Sequence, residues 1–327
     1  MIEKLKLQNF KVLRDVDAKL RPLTVIVGPN GSGKASILQA LQLLTGRFRR
    51  DLLPGGFSAL RSRLSDGPIS VHCSGSTALK EPFDSYIAIR GDYAYGEGDD
   101  LPFQAPAPVL RLDVRKLAAP TCAKSTGLDL PSDGEGLSSV LAGLHLEDVS
   151  RFHRLAEQLK SVIPQVEGLY VRRAALGKGV AEHEVFLDIT GAPGIPASAV
   201  GNGILLTLGL LTALTTDASP LIMINDFGGG LHPVSQADLV KQIRGIQENR
   251  PDLQIIATSH SPYLLDSFAA GEVLLTALGE DGYAMVKPLT DHPNYERSKD
   301  FMDTGEFWSS VGEGWVTKSS GENRIAR

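Results

Sequence analysis

The run Gly28-Pro29-Asn30-Gly31-Ser32-Gly33-Lys34-Ala35-Ser36 combines glycines and a lysine at a spacing that can do chemistry. It follows an apolar stretch, Leu23-Thr24-Val25-Ile26-Val27, and opens a helical pattern from Ile37 through Leu44. A strand, a glycine-rich turn and a helix N-terminus in that order aim backbone N–H groups, the helix dipole and one ammonium at a single point. That point is a polyphosphate site, so Gly28–Ser36 are the candidate contacts for ATP, with Lys34 on the β- and γ-phosphates. The residue after the lysine is normally Ser or Thr, whose hydroxyl ligates Mg²⁺. Here it is Ala35, which has no oxygen. Ser36 lies about 100° further round the helix and is expected to point away from the phosphates.

A second constellation belongs with the first. Leu221-Ile222-Met223-Ile224 reads as a buried parallel strand ending in Asn225-Asp226. Such a strand end carries the second Mg²⁺ ligand and, beside it, an acid that orients the attacking water. The metal position falls on Asn225, an amide, and the general-base position on Asp226. Together they form a weak Mg²⁺ site. Leu253–Ala257 predicts a further buried strand, followed by Thr258-Ser259-His260-Ser261-Pro262. His260 at its end is placed to sense or stabilise transition-state charge. Lys34, Asp226 and His260 are thus the candidate catalytic residues.

These landmarks, with the opening Ile2–Lys11 and the turn Gly230-Leu231-His232-Pro233, resemble the RecF-like, SMC-related branch of ABC ATPases. Within it the likeness is to stand-alone ATPases related to those of overcoming-lysogenisation-defect nucleases and bacterial anti-phage systems. The likeness is strongest at residues 1–45 and 196–270. It implies an ATP-binding head that dimerises, each nucleotide lying between the loop of one subunit and a signature segment of the other. Ala199–Leu206 occupies the signature place, but Gly201, Asn202, Gly203 and Ile204 stand where relatives carry Ser, an acid, Gly and Thr. Gly228-Gly229-Gly230 likewise replaces polar residues that would face the partner subunit. The departures fall on the parts that touch Mg²⁺ or the γ-phosphate. A natural nucleotide-binding protein with slow or no turnover and an altered variant of an active parent both fit. A transporter motor does not, because the Leu-Ser-Gly-Gly-Gln pattern is missing.

The elements that must hold these residues predict an α/β P-loop domain of the ABC/SMC head type. Its core sheet is mostly parallel, with an antiparallel edge sheet and a helical lobe. Residues 1–10 and 17–27 read as strands and 35–46 as the loop's helix; 47–66 reads as helix or loop. Ile69–Cys73, Ser85–Ile89 and Val109–Val114 read as antiparallel strands, with a loop over Asp92–Pro108. Leu137–Leu144 and Asp148–Ile163 carry apolar residues at helical spacing, capped by Ser132/Asp133 and Glu147/Asp148. Gly168–Val171 and Glu184–Ile189 add two strands. The organisation expected is 1–130 and 196–290 as two parts of the ATPase core, 131–195 as the lobe and 291–327 as a tail. The tail holds both tryptophans, Trp308 and Trp315, which suit a core-packing helix or a docking surface. No toprim-like acidic cluster follows residue 290, so a separately encoded effector, such as a nuclease, is the expected partner.

Composition sets the outer bounds. The chain has 327 residues, 42% of them hydrophobic, and a net charge of −5. That length supports one large core or two moderate ones. That charge gives no global field toward nucleic acid, so DNA contact would have to be local, at Arg47-Arg49-Arg50, Arg61-Arg63 or Arg172-Arg173. Cys73 and Cys122 form no metal or redox motif, which suits a cytoplasmic setting. No stretch approaches the roughly 18 apolar residues of a membrane span.

Overall fold

The computed structural model describes residues 1–46, 57–61, 67–77, 79–90, 93–98, 107–122, 128–176, 180–216 and 219–318. Strands β1 (Ile2–Phe10), β2 (Leu13–Lys19) and β3 (Leu23–Val27) lead into α1 (Lys34–Thr45). Then come β4 (Ile69–Ser76), β5 (Pro82–Arg90), β6 (Tyr93–Gly98), β7 (Val109–Leu110), α2 (Val114–Ala118) and β8 (Thr121–Cys122). Helices α3 (Leu137–Glu147) and α4 (Val149–Val162) precede β9 (Val166–Leu176), β10 (Val180–Ile189) and β11 (Ala192–Pro196). Next are α5 (Asn202–Thr216), β12 (Leu221–Ile224), α6 (Pro233–Asn249), β13 (Gln254–Ser259) and α7 (Pro262–Leu265). The chain closes with β14 (Val273–Leu278), β15 (Ala284–Pro288), α8 (Tyr295–Ser298) and α9 (Thr304–Val311).

The chain divides into two compact units, one made of Met1–Val109, Ser219–Phe227 and Arg250–Arg327, the other of Leu110–Ala218 and Gly228–Asn249. In the first, a large mixed sheet runs β6-β5-β4-β1-β2-β15-β14-β3-β13-β12-β7. Its centre is parallel: Val25 pairs with Ala257 on one side and Val273 on the other, and Ile222 pairs with Ile255. Every residue of β3, β12 and β13 is buried, as strands covered on both faces must be. β1 and β2 instead alternate, and pair antiparallel with one solvated face. β13 is stitched to β1 by Gln254, 1% exposed. Its Oε1 accepts from Ile2 N at 2.8 Å, and its Nε2 donates to Ile2 O at 2.7 Å and Arg21 O at 3.1 Å, so the buried amide is satisfied.

The second unit holds α2 to α6 and an antiparallel sheet in which β10 pairs with β8, β9 and β11. α5 is apolar around its whole circumference, with Leu205, Leu208, Leu211 and Leu214 all within 1% of full burial. α4 is amphipathic and buries Phe152, Leu155, Leu159 and Val162. Asp148 caps it, its carboxylate accepting from Arg151 N at 2.9 Å.

Several sequence expectations are corrected. Val109–Val114 is not a third antiparallel strand beside β4 and β5: only Val109–Leu110 is extended, and it lies at the β12 end of the sheet. Asp113 ends it by capping α2 through Arg115 N at 2.8 Å. Within the expected loop Asp92–Pro108, Tyr93–Gly98 is a strand paired to β5, and 99–106 lies outside the described residues. The expected strand 17–27 is two strands, because β2 starts at Leu13 and the chain breaks at 20–22, where Arg21 N donates to Thr24 Oγ1 at 2.8 Å. α3 is not capped by Ser132/Asp133: its N-cap is Gly136, and Asp133 Oδ1 accepts from Glu135 N at 3.1 Å instead. Of 47–66, only 57–61 is described, and 57–60 forms a 3₁₀ turn. Arg47, Arg49, Arg50 and Arg63 therefore lie outside the described residues, while Arg172 and Arg173 stand exposed on β9. Among the described residues no helix is long and apolar enough to cross a membrane. Cys73 is buried, and burial first, then Asp84, pushes its thiol up to about 12.

Candidate nucleotide site

The loop between β3 and α1 is shaped by glycines that nothing else could replace. Gly28 has φ 142°, and a Cβ there would lie 2.1 Å from Thr276 O. Gly33, with φ 93°, is the N-cap of α1, and a Cβ there would press on Leu13 Cδ2 at 2.9 Å. Only glycine adopts both the angle and the approach. Ser32 is buried and ties the loop to β14: its Oγ donates to Pro29 O at 2.8 Å and lies 2.5 Å from Thr276 Oγ1.

Lys34 is the first residue of α1 and only 7% exposed. Its ammonium folds over the loop, donating to Gly28 O at 2.7 Å and Pro29 O at 2.8 Å. Burial holds its pKa below the ordinary lysine value, while Asp226 and Glu313 act against the shift. Ala35 is exposed and Ser36 half-buried, so the position after the lysine presents a methyl group.

Asn225 and Asp226 follow β12. Asp226 is exposed and has φ 61°, a left-handed conformation that Asp tolerates better than most residues. The turn is held to the end of β13: Asp226 N donates to Thr258 Oγ1 at 3.0 Å, Phe227 N to Thr258 O at 2.7 Å, and Ser259 Oγ to Phe227 O at 2.9 Å. His260, exposed, comes next after Ser259. Its pKa is lowered by burial and then by Lys34, with Asp226 opposing, so the imidazole is neutral at pH 7. The structure therefore brings Lys34, Asp226 and His260 into one electrostatic neighbourhood, built from three strand ends of one sheet.

Two members of that neighbourhood escaped sequence reasoning. Thr276 is fully buried in the apolar run Val273–Leu278, where a lone hydroxyl was the available signal. Glu313 lies between two glycines in the tail, and no motif marks it.

The residues expected to form the signature lie in the other unit, at the start of α5. Gly201 and Asn202 are exposed, and a Cβ on Gly203 would sit 2.8 Å from Gly230 O. The segment thus packs against the glycine turn 228–230, in which Gly228 and Gly230 take φ 81° and 76°. Gln236 Nε2 fastens that turn by donating to Gly228 O at 3.0 Å and Leu231 O at 3.1 Å. Gly201, Ile204, Leu231, His232 and Ile163 line an open cleft of about 460 Å³ beside it. Among the described residues no three His, Cys, Asp or Glu side chains cluster as a metal site.

Residues 1–76 match the family model described as "AAA ATPase domain", and residues 124–266 match "AAA domain, putative AbiEii toxin, Type IV TA system". Over 46 residues, 14% of this chain, the sequence is 52% identical to the OLD nuclease of Thermus scotoductus. It is 23% identical over 311 residues, 87% of this chain, to the Septu protein PtuA of Bacillus mycoides. The chain spans 9% and 42% of the lengths of those two relatives. In fold it is similar to an SMC head bound to the C-winged helix domain of ScpA, with a TM-score of 0.63, 15% identity and coverage of 88% of this chain and 96% of that one. The SMC head domain from Thermotoga maritima gives 0.52 at 16% identity, covering 88% and 98%. Two separate stretches of the chain thus match AAA ATPase models, and its fold is similar to that of SMC heads.

Proposed function

We propose that this chain binds ATP through Gly28–Ser36 and acts as a nucleotide-dependent switch for a partner in phage defence or DNA repair, with weakened hydrolysis. The observation that carries the reading is the convergence of Lys34, Asp226 and His260 on the loop. The residues fit polyphosphate: a glycine-only turn, a helix N-terminus and an ammonium whose present acceptors are two carbonyls that phosphate oxygens can replace. They fit Mg²⁺ poorly, since position 35 has no oxygen and Asn225 offers only an amide. Bound Mg-ATP would supply the phosphoanhydride; Asp226 is the group that would orient water, and neutral His260 the one that would donate to developing charge.

Ala35, Asn225 and Gly201 equally support a scaffold that binds nucleotide without turning it over. The setting rests on likeness to OLD nuclease and Septu protein PtuA, and the partner, a nuclease in this reading, on the resemblance and on the tail. A homodimer is part of the same proposal, and DNA contact at Arg172-Arg173 is compatible with it.

Two measurements test it together: equilibrium binding of a fluorescent ATP analogue and steady-state phosphate release with Mg-ATP. Lys34→Ala should weaken binding by about tenfold or more, equivalent to ~1.4 kcal/mol. Unchanged affinity in that variant overturns the assignment of the loop. Binding with turnover far below an ordinary rate of about 10 s⁻¹ supports weakened hydrolysis, and no release above background favours the scaffold.

A further inference from the structure

β1 and β2 set their charges against each other in two different ways. On the solvated face Lys6 lies opposite Asp17, and the two form an ion pair at 3.5 Å. One pair further along the same face, Lys4 lies opposite Lys19. Directly opposed residues bring their Cβ atoms within about 4.5–5.5 Å, so two ammonium groups there repel and weaken the sheet. Both side chains are exposed, and among the described residues no hydrogen bond or ion pair engages either ammonium.

The backbone around this pair is fixed. The register of β1 on β4 shifts between Ile2 and Lys4, and that irregularity leaves Glu3 and Lys4 both exposed. Glu3 is already engaged: its Oε1 accepts from Ser76 Oγ at 2.7 Å, and its carbonyl accepts from Leu20 N at 2.9 Å. Arg21, also exposed, has a clamped main chain. Its N–H donates to Thr24 Oγ1 at 2.8 Å, and its carbonyl accepts from Thr24 Oγ1 and from Gln254 Nε2, both at 3.1 Å. Lys4, Lys19 and Arg21 line one open cleft of about 380 Å³, with Ser74 and Ser76 beside them and Glu3 as the one acid in its wall. The cleft lies at the far end of β3 from the nucleotide loop. Pro22 lines it and Gly28 begins the loop, with the five residues of β3, about 17 Å, between them.

We propose that this cleft is a second anion site, which binds a phosphate group among Lys4, Lys19 and Arg21. Phosphate oxygens turn the repelling ammonium pair into a bridged one, and a guanidinium matches two oxygens of the same group. A concave wall carrying three cations against one engaged carboxylate focuses the field that draws the anion in. The net charge of −5 confines that attraction to the cleft. The ligand is a phosphate carried by a free compound or by a nucleic-acid strand. Nothing in the argument requires that Gly28–Ser36 bind ATP.

The test follows the backbone amides of Lys4, Lys19 and Arg21 in the full chain by NMR during addition of inorganic pyrophosphate or of a short single-stranded DNA. Sodium chloride at matched ionic strength is the control. Phosphate should give saturable shifts at these residues that chloride does not. DNA that binds about tenfold tighter than pyrophosphate assigns the site to a strand, and equal or weaker DNA binding assigns it to a free compound. Lys19→Glu makes the pair complementary, as at Lys6 and Asp17. It should weaken phosphate binding by about tenfold or more and, without ligand, raise the urea midpoint of unfolding. Shifts at Gly31 and Gly33 report the nucleotide loop in the same titration and should be unaltered by this substitution. No shift beyond that of chloride, or unchanged phosphate affinity in Lys19→Glu, overturns the proposal. A lowered midpoint would show that the pair does not repel, and overturns it as well.

Discussion

Lys34, Asp226 and His260 are far apart in sequence, yet the charges of Lys34 and Asp226 both act on His260, and that of Asp226 acts on Lys34. His260 reports on this most directly. Burial and the Lys34 cation both oppose its protonation, so it stays neutral to a lower pH than an exposed histidine does. Removing the cation with Lys34→Ala should move its NMR titration midpoint upward, and removing the anion with Asp226→Asn should move it downward. Movement in the opposite sense for either variant would show that the three do not share a site. Chemistry at the same spot should respond to restored oxygen. Mg²⁺ in such sites keeps one or two protein oxygens beside phosphates and waters, so Ala35→Ser with Asn225→Asp rebuilds both. The double variant should raise phosphate release about tenfold or more, ~1.4 kcal/mol in barrier. Equal turnover in parent and variant would mean that the alanine and the amide are incidental.

Elements explain what could be read in advance. Uninterrupted burial on β3, β12 and β13 demands unbroken apolar runs, so those strands, the loop and the strand-end residues were legible. β6 was not, because Tyr95 is 54% exposed and Gly96 alternates with it in a sequence that reads as a turn. The start of α2 is hidden for another reason: Asp113 falls at the end of a run patterned like a strand, and only its bond to Arg115 N reveals a cap. In the candidate site, Lys34, Asp226 and His260 announce themselves by motif, whereas Thr276 meets the loop through a tertiary contact that spacing does not encode. Where a cap was legible its weight can be measured. Asp148→Ala should lower stability by about 1 kcal/mol in urea unfolding, since the Arg151 N–H loses its acceptor. No change would mean that α4 is held by its apolar face alone.

At the scale of the whole molecule, the proposed dimer would respond to ATP only if a signature hydroxyl completes the partner's γ-phosphate site. Gly201 and Ile204 have none, and each lost bond to a charged oxygen is worth about 1.5–3 kcal/mol. Sedimentation with and without Mg-ATP should therefore show the same species. A monomer that becomes a dimer on adding ATP would remove the main support for weakened turnover. The bond between Ser32 and Thr276, which spans 244 residues, bears on how the protein comes into being. β3 is made early, but its parallel neighbours β13 and β14 emerge from the ribosome only after both segments of the other unit. Until β14 docks, the glycine loop has neither the hydroxyl that fixes Ser32 nor the carbonyl that packs against Gly28. Long-range parallel pairing of this kind is slow. On the proposed reading, a nascent chain stalled before residue 273 should carry the complete loop sequence and still fail to retain nucleotide, so ATP would assist folding only once β14 has emerged.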